Sequence, residues 1–371
     1  MNKIYDVIVI GMGVAGCNMA YNLKNRGQNV LLIDKSSVVA TGGSRAAGAF
    51  VSPKIGKGSP LQTLTNEAFS FAVDFYKKNF SEYFNQTGVV RIPKDIEDNK
   101  KFDIYKDFND TPYKHFSHNK LKDNGINSEY DGFLFENAGV CDSIGLCNAL
   151  VKNIDKASLT VNNIIQKDNL WYVGKYMAKK VILTTGYEDN LLDIRYMGIH
   201  GTWGSRGDFE SSLKIPISIH KSISISANLN GIIKIGATHN KAKDPCLLCK
   251  NPLDELMEKA SYLIDTKKLH LTKIFCGMRS GSKDYFPLIG SVIDTKYMLK
   301  TYPKITKGAK EPLKKIDNLY ILNGLGGRGF VFAPLMADIL SNHIINNQEI
   351  DSRINPDRLF LKWCRKKNNI S

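Results

Sequence analysis

The chain of 371 residues contains no apolar stretch approaching the roughly 20 residues that cross a bilayer, so no membrane helix is predicted. It contains no repeat of 20–50 residues, which excludes solenoids and propellers. Cysteine is sparse, with seven at 17, 141, 147, 246, 249, 276 and 364. An odd number scattered over this length is no disulfide framework. It fits a reducing compartment and predicts a cytoplasmic protein. Acid is scarce relative to base: 36 Asp plus Glu against 51 Lys plus Arg, a net charge of +15. That excess suits a polyanionic partner such as nucleic acid, an anionic surface or a phosphorylated substrate; the other reading is a composition rich in lysine throughout. The first residues, MNKIYDVIVIGMG, carry a lysine and a short apolar run but no cleavage site of small residues. They therefore read as a first strand rather than a signal peptide. Apolar residues at 43% and charged residues at 23% are ordinary for a globular chain. The length predicts two domains, or one large α/β unit with an inserted lobe.

Tyr5–Ile10 is an apolar, β-rich run of the kind buried on both faces of a sheet. Gly11, Gly13 and Gly16 follow at G-x-G-x-x-G spacing, then a helical stretch and a second apolar run, 28–33. Asp34 ends that run, eighteen positions after Gly16. Strand, glycine turn, helix, strand and acid in this order form a dinucleotide-binding fingerprint. Glycine lets the backbone approach a pyrophosphate, the helix N-terminus offers free N–H groups to it, and the acid accepts from a ribose. A second run of small residues, Gly42-Gly-Ser-Arg-Ala-Ala-Gly48, would let the chain pass close to a cofactor extending beyond the pyrophosphate, as FAD does; a flexible loop is the alternative.

Farther along, apolar spacing predicts a helix over 61–84 and short strands and loops over 85–135. A helix capped by Asp142 is expected over 142–154, and a buried strand over 180–185 ending at Gly186. Alternation over 214–238 predicts an antiparallel sheet with one wet face, and a helix is expected over 253–265. A strand over 319–322, a glycine-rich turn and an apolar helix over 330–345 precede a polar tail. Gly324, Gly326 and Gly329 repeat the G-x-G-x-x-G spacing, but no strand with a terminal acid follows, so no second nucleotide is expected there.

These segments together resemble the D-amino-acid-oxidase (DAO) superfamily of FAD enzymes over nearly the whole chain. The late motifs GMRSGSKDYFPLIG (277–290) and GLGGRGFVFAPL (324–335) carry the likeness most strongly. Within the superfamily they are most similar to the C-terminal oxidase domain of MnmC, the tRNA wobble-uridine branch. The resemblance implies an α/β fold: a Rossmann-like FAD domain with a parallel sheet, over 1–85, 140–199 and 277–371, plus an inserted α+β substrate domain with an antiparallel sheet, over 86–139 and 200–276. It implies oxidation of the C–N bond of a 5-carboxymethylaminomethyl group on uridine 34, giving 5-aminomethyl-uridine and glyoxylate. An oxidase of free glycine or sarcosine is the alternative, and a binding protein without turnover is a third reading. The fingerprint begins near residue 8, without the N-terminal methyltransferase domain common in that branch, so methylation is expected from a separate enzyme.

The resemblance also assigns residues. Arg279 grips the substrate carboxylate, and Arg328 adds charge or contacts the substrate. The cofactor is expected against Gly11, Gly13, Val14, Ala15, Gly16, Asp34, Lys35, Gly42, Gly43, Ser44, Ala47, Gly48, Val161, Gly186, Gly326, Gly327, Arg328, Gly329 and Phe330. No metal is expected. Lys283 is a lesser candidate, supporting its turn. A tRNA partner would account for the charge. Lys300, Lys304, Lys307, Lys310, Lys314 and Lys315 form one cluster and Lys362, Arg365, Lys366 and Lys367 another, with Tyr302 and Trp363 placed to stack on bases. Cys246 and Cys249 form a CxxC downstream of His239; with no second CxxC it reads as a lobe loop, a labile disulfide or partial metal site being the other readings. His200 and His220 receive no role.

Overall fold

The computed structural model describes residues 3–188, 191–240 and 253–367. The opening unit folds as its pattern predicts: strand Ile4–Ile10, helix Val14–Asn25, strand Val30–Asp34. Val7, Ile8, Val9, Leu32 and Ile33 are wholly buried, which places these strands inside a sheet covered on both faces. Five strands run parallel in the order Asp155–Ser158, Val30–Asp34, Ile4–Ile10, Tyr176–Leu183 and Lys315–Asn323. Leu288–Ile293 adds antiparallel to the last of them. The hairpin of Ile165–Lys167 and Leu170–Val173 pairs with the first half of Tyr176–Leu183, leaving Val181–Leu183 to pair with Leu319–Ile321. On one face of this sheet, helices Val14–Asn25, Pro60–Asn79 and Gly329–Asn346 enclose a core that includes Met19, Leu23, Tyr76 and Met336. On the other face Trp171, Tyr196, Met298 and Phe360 form a second core.

A second eight-stranded sheet has the order Leu269–Gly281, His200–Ser211, Ile232–Gly236, Ser224–Ile225, Ser218–His220, Val89–Arg91, Gly132–Phe135 and Lys114–Phe116. All its pairings are antiparallel except that of Val89–Arg91 with Ser218–His220. The α/β class and its antiparallel companion sheet are thus as expected. Leu269–Gly281 runs through position 277 without interruption.

Several elements differ from the sequence reading. The region 85–135 carries two helices, Ile96–Asp107 and His118–Asp123. The first buries only Phe102 and is started by Asp95, whose carboxylate accepts the Asp98 N–H, so it has no apolar stripe to read. The polar tail is a helix, Asp357–Lys367, held by Phe360 and Cys364 one turn apart, both fully buried. The helix expected over 61–84 stops at Asn79, and the one expected over 253–265 spans Asp254–Ser261. Asp142 caps Ser143–Leu150 as foreseen, accepting from the N–H groups of Ile144 and Gly145. Among the described residues no helix is long and apolar enough to cross a membrane.

Candidate active site

The glycine turn is backbone laid against backbone. Gly11 has φ +114°, and a β-carbon at Gly16 would lie 1.8 Å from the Gly11 carbonyl oxygen. Thr184 locks the turn from the neighbouring strand, its hydroxyl donating to the carbonyls of Ile10 and Gly11 at 2.8 and 3.0 Å. The Asp34 carboxylate accepts the Met12 N–H at 2.7 Å and the Ser36 N–H at 3.0 Å, which fixes the acid at the mouth of the turn. Val14 N–H donates to Ser44 Oγ at 2.9 Å, so the second run of small residues sits on the N-terminus of the first helix.

Gly43–Ala46 forms one short helical turn pressed onto the strand that carries Arg279. A β-carbon at Gly43 would lie 2.4 Å from the Met278 carbonyl, and one at Gly277 would lie 2.8 Å from Ala46 Cβ. Arg206, buried and ion-paired with Asp208 at 2.8 Å, donates to the Ala47 carbonyl and clamps this segment from the sheet; sequence reading missed it. The late glycine turn closes the arrangement. Gly329 abuts Val14 Cγ1, and Gly327 lies beside the Arg279 side chain. Gly11, Gly13, Val14, Gly16, Asp34, Gly42, Gly43, Ser44, Gly327 and Gly329 therefore converge on one cleft.

The remaining predicted positions make other contacts. Lys35 is exposed and ion-paired with Glu188 at 2.5 Å. Val161 packs into the second core, beyond the strand beside Val30–Asp34. Gly48 faces the Phe50 ring, and the Gly186 carbonyl accepts from Asn323 Nδ2 at 2.7 Å. Phe330 is buried, and its carbonyl accepts the Tyr76 hydroxyl at 2.9 Å. Ala15 is half-buried in the first helix, and Gly326 adopts φ +56° in the late turn.

Arg279 crosses over Gly204 and donates to the Thr238 carbonyl at 3.1 Å. Among the described residues it has no carboxylate partner, and burial lowers its pKa. Burial also lowers the pKa of His239, with the charge of Arg279 adding to the effect. Arg328 donates to the Ser52 carbonyl at 3.0 Å, and burial pushes its pKa down to about 10. Two neighbours escaped sequence reading. Arg91 donates to the Pro53 carbonyl at 3.2 Å, and burial, then the charge of Arg328, pushes its pKa down to about 9. The Lys54 ammonium is lowered by burial, then by Arg328 and Arg91. The one sequence signal for Arg91 is a lone cation inside the apolar strand GVVRIP. His220 stands between Ser52 Oγ at 3.2 Å and Ser224 Oγ at 2.5 Å, and burial carries its pKa well below 6.5, so the ring is neutral.

Lys283 is exposed beside Lys366, and His200 lies across the strand pair from Gly281. The lysine clusters are partly structural: Lys315 is ion-paired with Asp357, and Lys314 with Asp317 at 3.5 Å. The remainder coalesce, because the turn Pro303–Lys307 lies on the C-terminal helix, with Gly308 against Arg365. Lys300, Lys304, Lys307, Lys310, Lys362, Arg365 and Lys366 are exposed. Trp363 packs on Phe360 and Tyr196 at 5.9 and 6.4 Å, and Tyr302 packs on the same core; both are half-buried. Cys246 and Cys249 lie outside the described residues.

The family model for DAO, FAD-dependent oxidoreductases, matches residues 6–343. The chain belongs to the DAO family. Its cofactor is FAD, and it is an oxidoreductase. The residues present fit that group: a glycine turn packed too closely for any β-carbon at Gly11 or Gly16, an acid at the second strand's end fixed on that turn, and the N-terminus of the first helix beside it. Among similar proteins are the bifunctional tRNA 5-methylaminomethyl-2-thiouridine biosynthesis proteins MnmC. That of Legionella pneumophila is 25% identical over 92% of this chain and 54% of its own length. That of Leptospira borgpetersenii is 25% identical over 98% of this chain and 62% of its own. The chain thus spans little more than half the length of these relatives. Glycine oxidase from Bacillus cereus superposes with a TM-score of 0.75 at 18% identity, covering 93% of this chain and 96% of that one. Iminodiacetate oxidase from Chelativorans sp. superposes with a TM-score of 0.75 at 15% identity, covering 94% and 98%.

Proposed function

We propose that this chain oxidises the C–N bond of the 5-carboxymethylaminomethyl group on uridine 34 of tRNA, with or without 2-thiolation, giving 5-aminomethyl-uridine and glyoxylate. The observation that carries the reading is the Arg279 guanidinium, held in the cleft against the late glycine turn with no acidic partner among the described residues. It suits a substrate that brings its own carboxylate. FAD, when bound, supplies the acceptor for a hydride from the glycyl methylene. Arg279 holds the carboxylate so that this methylene is presented, and the amine reacts in its neutral form. Loss of hydride and the amine proton leaves an imine, and its hydrolysis releases glyoxylate and the primary amine. Arg328 and the N-terminus of Gly329–Asn346 would supply positive potential to FAD, which gains negative charge on reduction.

The similarity to MnmC proteins supports the tRNA substrate, and the merged lysine face supports a phosphate-bearing partner. In this reading the FAD domain comprises 1–85, 140–199 and 277–371 and the substrate domain 86–139 and 200–276. The protein works in the cytoplasm, and a separate methyltransferase acts on the product. Nucleoside mass spectrometry of tRNA incubated with the FAD-loaded protein tests this. Conversion of the carboxymethylaminomethyl nucleoside with equimolar glyoxylate is expected. Unchanged tRNA together with turnover of free glycine or sarcosine would replace this reading with the small-amine oxidase.

A further inference from the structure

Beside the flavin cradle Arg328 meets two further cations, Arg91 and Lys54, that the reaction above does not use. Arg328 directly follows Gly327, which touches Arg279, so the two guanidiniums flank one turn. On its far side Arg328 meets the segment Ser52–Lys54, where it and Arg91 hold consecutive carbonyls, those of Ser52 and Pro53. Arg91 arrives from the strand Val89–Arg91, in register with His220, which is hydrogen-bonded to the Ser52 hydroxyl. The side chains of Lys54, Arg91 and Arg328 are all half-buried, so each keeps a solvent-facing part within the fold.

Their donors are mostly unspent. A guanidinium has five N–H donors, and each arginine here gives one hydrogen bond to a backbone carbonyl. Arg91 Nε is buried with no partner among the described residues. Nor is the charge balanced. Among the described residues no ion pair joins Arg91, Lys54 or Arg328 to an acid, and Asp98, whose charge reaches Arg91, is engaged by the Lys94 N–H. His220 is neutral and adds no charge; it holds Ser52, and through it the carbonyl to which Arg328 is bound. Converging half-buried cations without a counterion are stable only when an anion completes them.

We propose that Arg91, Lys54 and Arg328 form an oxyanion subsite, separate from Arg279, which accepts a carboxylate or phosphate group of the incoming substrate. Forked guanidiniums match either oxyanion with paired hydrogen bonds, and Lys54 supplies a point charge. A substrate able to fill both positions carries an oxyanion besides the carboxylate on its amine. The subsite thus selects doubly anionic amines over glycine or sarcosine, whichever of them is turned over.

Calorimetric titration of the FAD-loaded Arg279→Gln protein with inorganic phosphate, and separately with acetate, tests this without any turnover. Flavin absorbance is recorded in parallel. The subsite predicts saturable binding of one anion per chain that survives Arg279→Gln. Adding Arg91→Gln weakens it at least tenfold, adding Lys54→Gln weakens it severalfold, and adding Arg91→Lys gives an intermediate loss. Tighter phosphate assigns the site to a phosphate-bearing substrate, and equal or tighter acetate to a carboxylate. No saturable binding, or unchanged binding after both Arg91→Gln and Lys54→Gln, overturns the proposal. Should Arg91→Gln fail to retain flavin, the Lys54→Gln result decides alone.

Discussion

Arg279 shows how a single side chain gains meaning from what surrounds it. An arginine at a protein surface is screened and contributes little, whereas this one spans Gly204, where even a methyl group would collide with its guanidinium. It is held on one backbone carbonyl and lacks a carboxylate among the described residues. Replacing it by Gln removes charge while keeping a hydrogen-bonding side chain of similar reach. Loss of one partner from such a pair is worth about 2–5 kcal/mol, so kcat/KM falls by roughly 30- to 5000-fold. Flavin content should stay at the wild-type level if Arg279 holds the substrate, as proposed, and not the cofactor. Steady-state kinetics beside an absorbance measurement of bound flavin checks both halves; loss of flavin would place Arg279 in the cradle instead.

The elements are joined by contacts that admit little variation. Gly16→Ala drives a methyl group into the Gly11 carbonyl at the crossing of the first strand and helix. It should yield protein without flavin and with a melting temperature lowered by several degrees, read by absorbance and calorimetry. A milder joint ties the late motif to the C-terminal helix, where Arg358 gives two hydrogen bonds to Asp284, at 2.8 and 2.9 Å. Burial raises the Asp284 pKa, but Arg358, the Phe286 N–H and the Ser282 hydroxyl together outweigh it and leave it lowered. A carboxyl lowered by folding stabilises above its unfolded pKa, and that stability is lost as pH falls through the lowered folded value. Asp284→Asn should therefore cost about 1 kcal/mol at pH 7, discounted for its partial exposure. The difference from wild type should shrink in urea titrations as pH falls below 3.8, the ordinary value from which folding lowers this carboxyl. A difference that persists there would assign the cost to packing rather than charge.

At the scale of the whole molecule, two groups of exposed lysines meet. The turn Pro303–Lys307 rests on the C-terminal helix, so two lysine clusters distant in sequence form one face, while Lys314 and Lys315 are neutralised locally. Changing Lys304, Lys307, Lys362 and Lys366 to Gln together should weaken tRNA binding. It should also flatten the slope of log affinity against log salt by up to about 3.6, since each phosphate contact contributes about 0.9. Filter binding at several salt concentrations measures it, and an unchanged slope would make this face ordinary solvated surface.

The sequence by itself determined the first βαβ unit, its FAD cradle and the family. The information there is local: glycine spacing, apolar runs and an acid, all within the first 34 residues, act through backbone geometry that no distant contact needs to specify. It also marked Arg279, because the motif around that residue is contiguous. Only the tertiary structure decided which other cations face the cleft. Arg91 and His220 meet because strands far apart in sequence pair in parallel, and pairing register leaves no mark in either segment alone. The same holds for Trp363 and Tyr302: their side chains turn inward because the second core had room for them, a fact set by packing volume and invisible to composition.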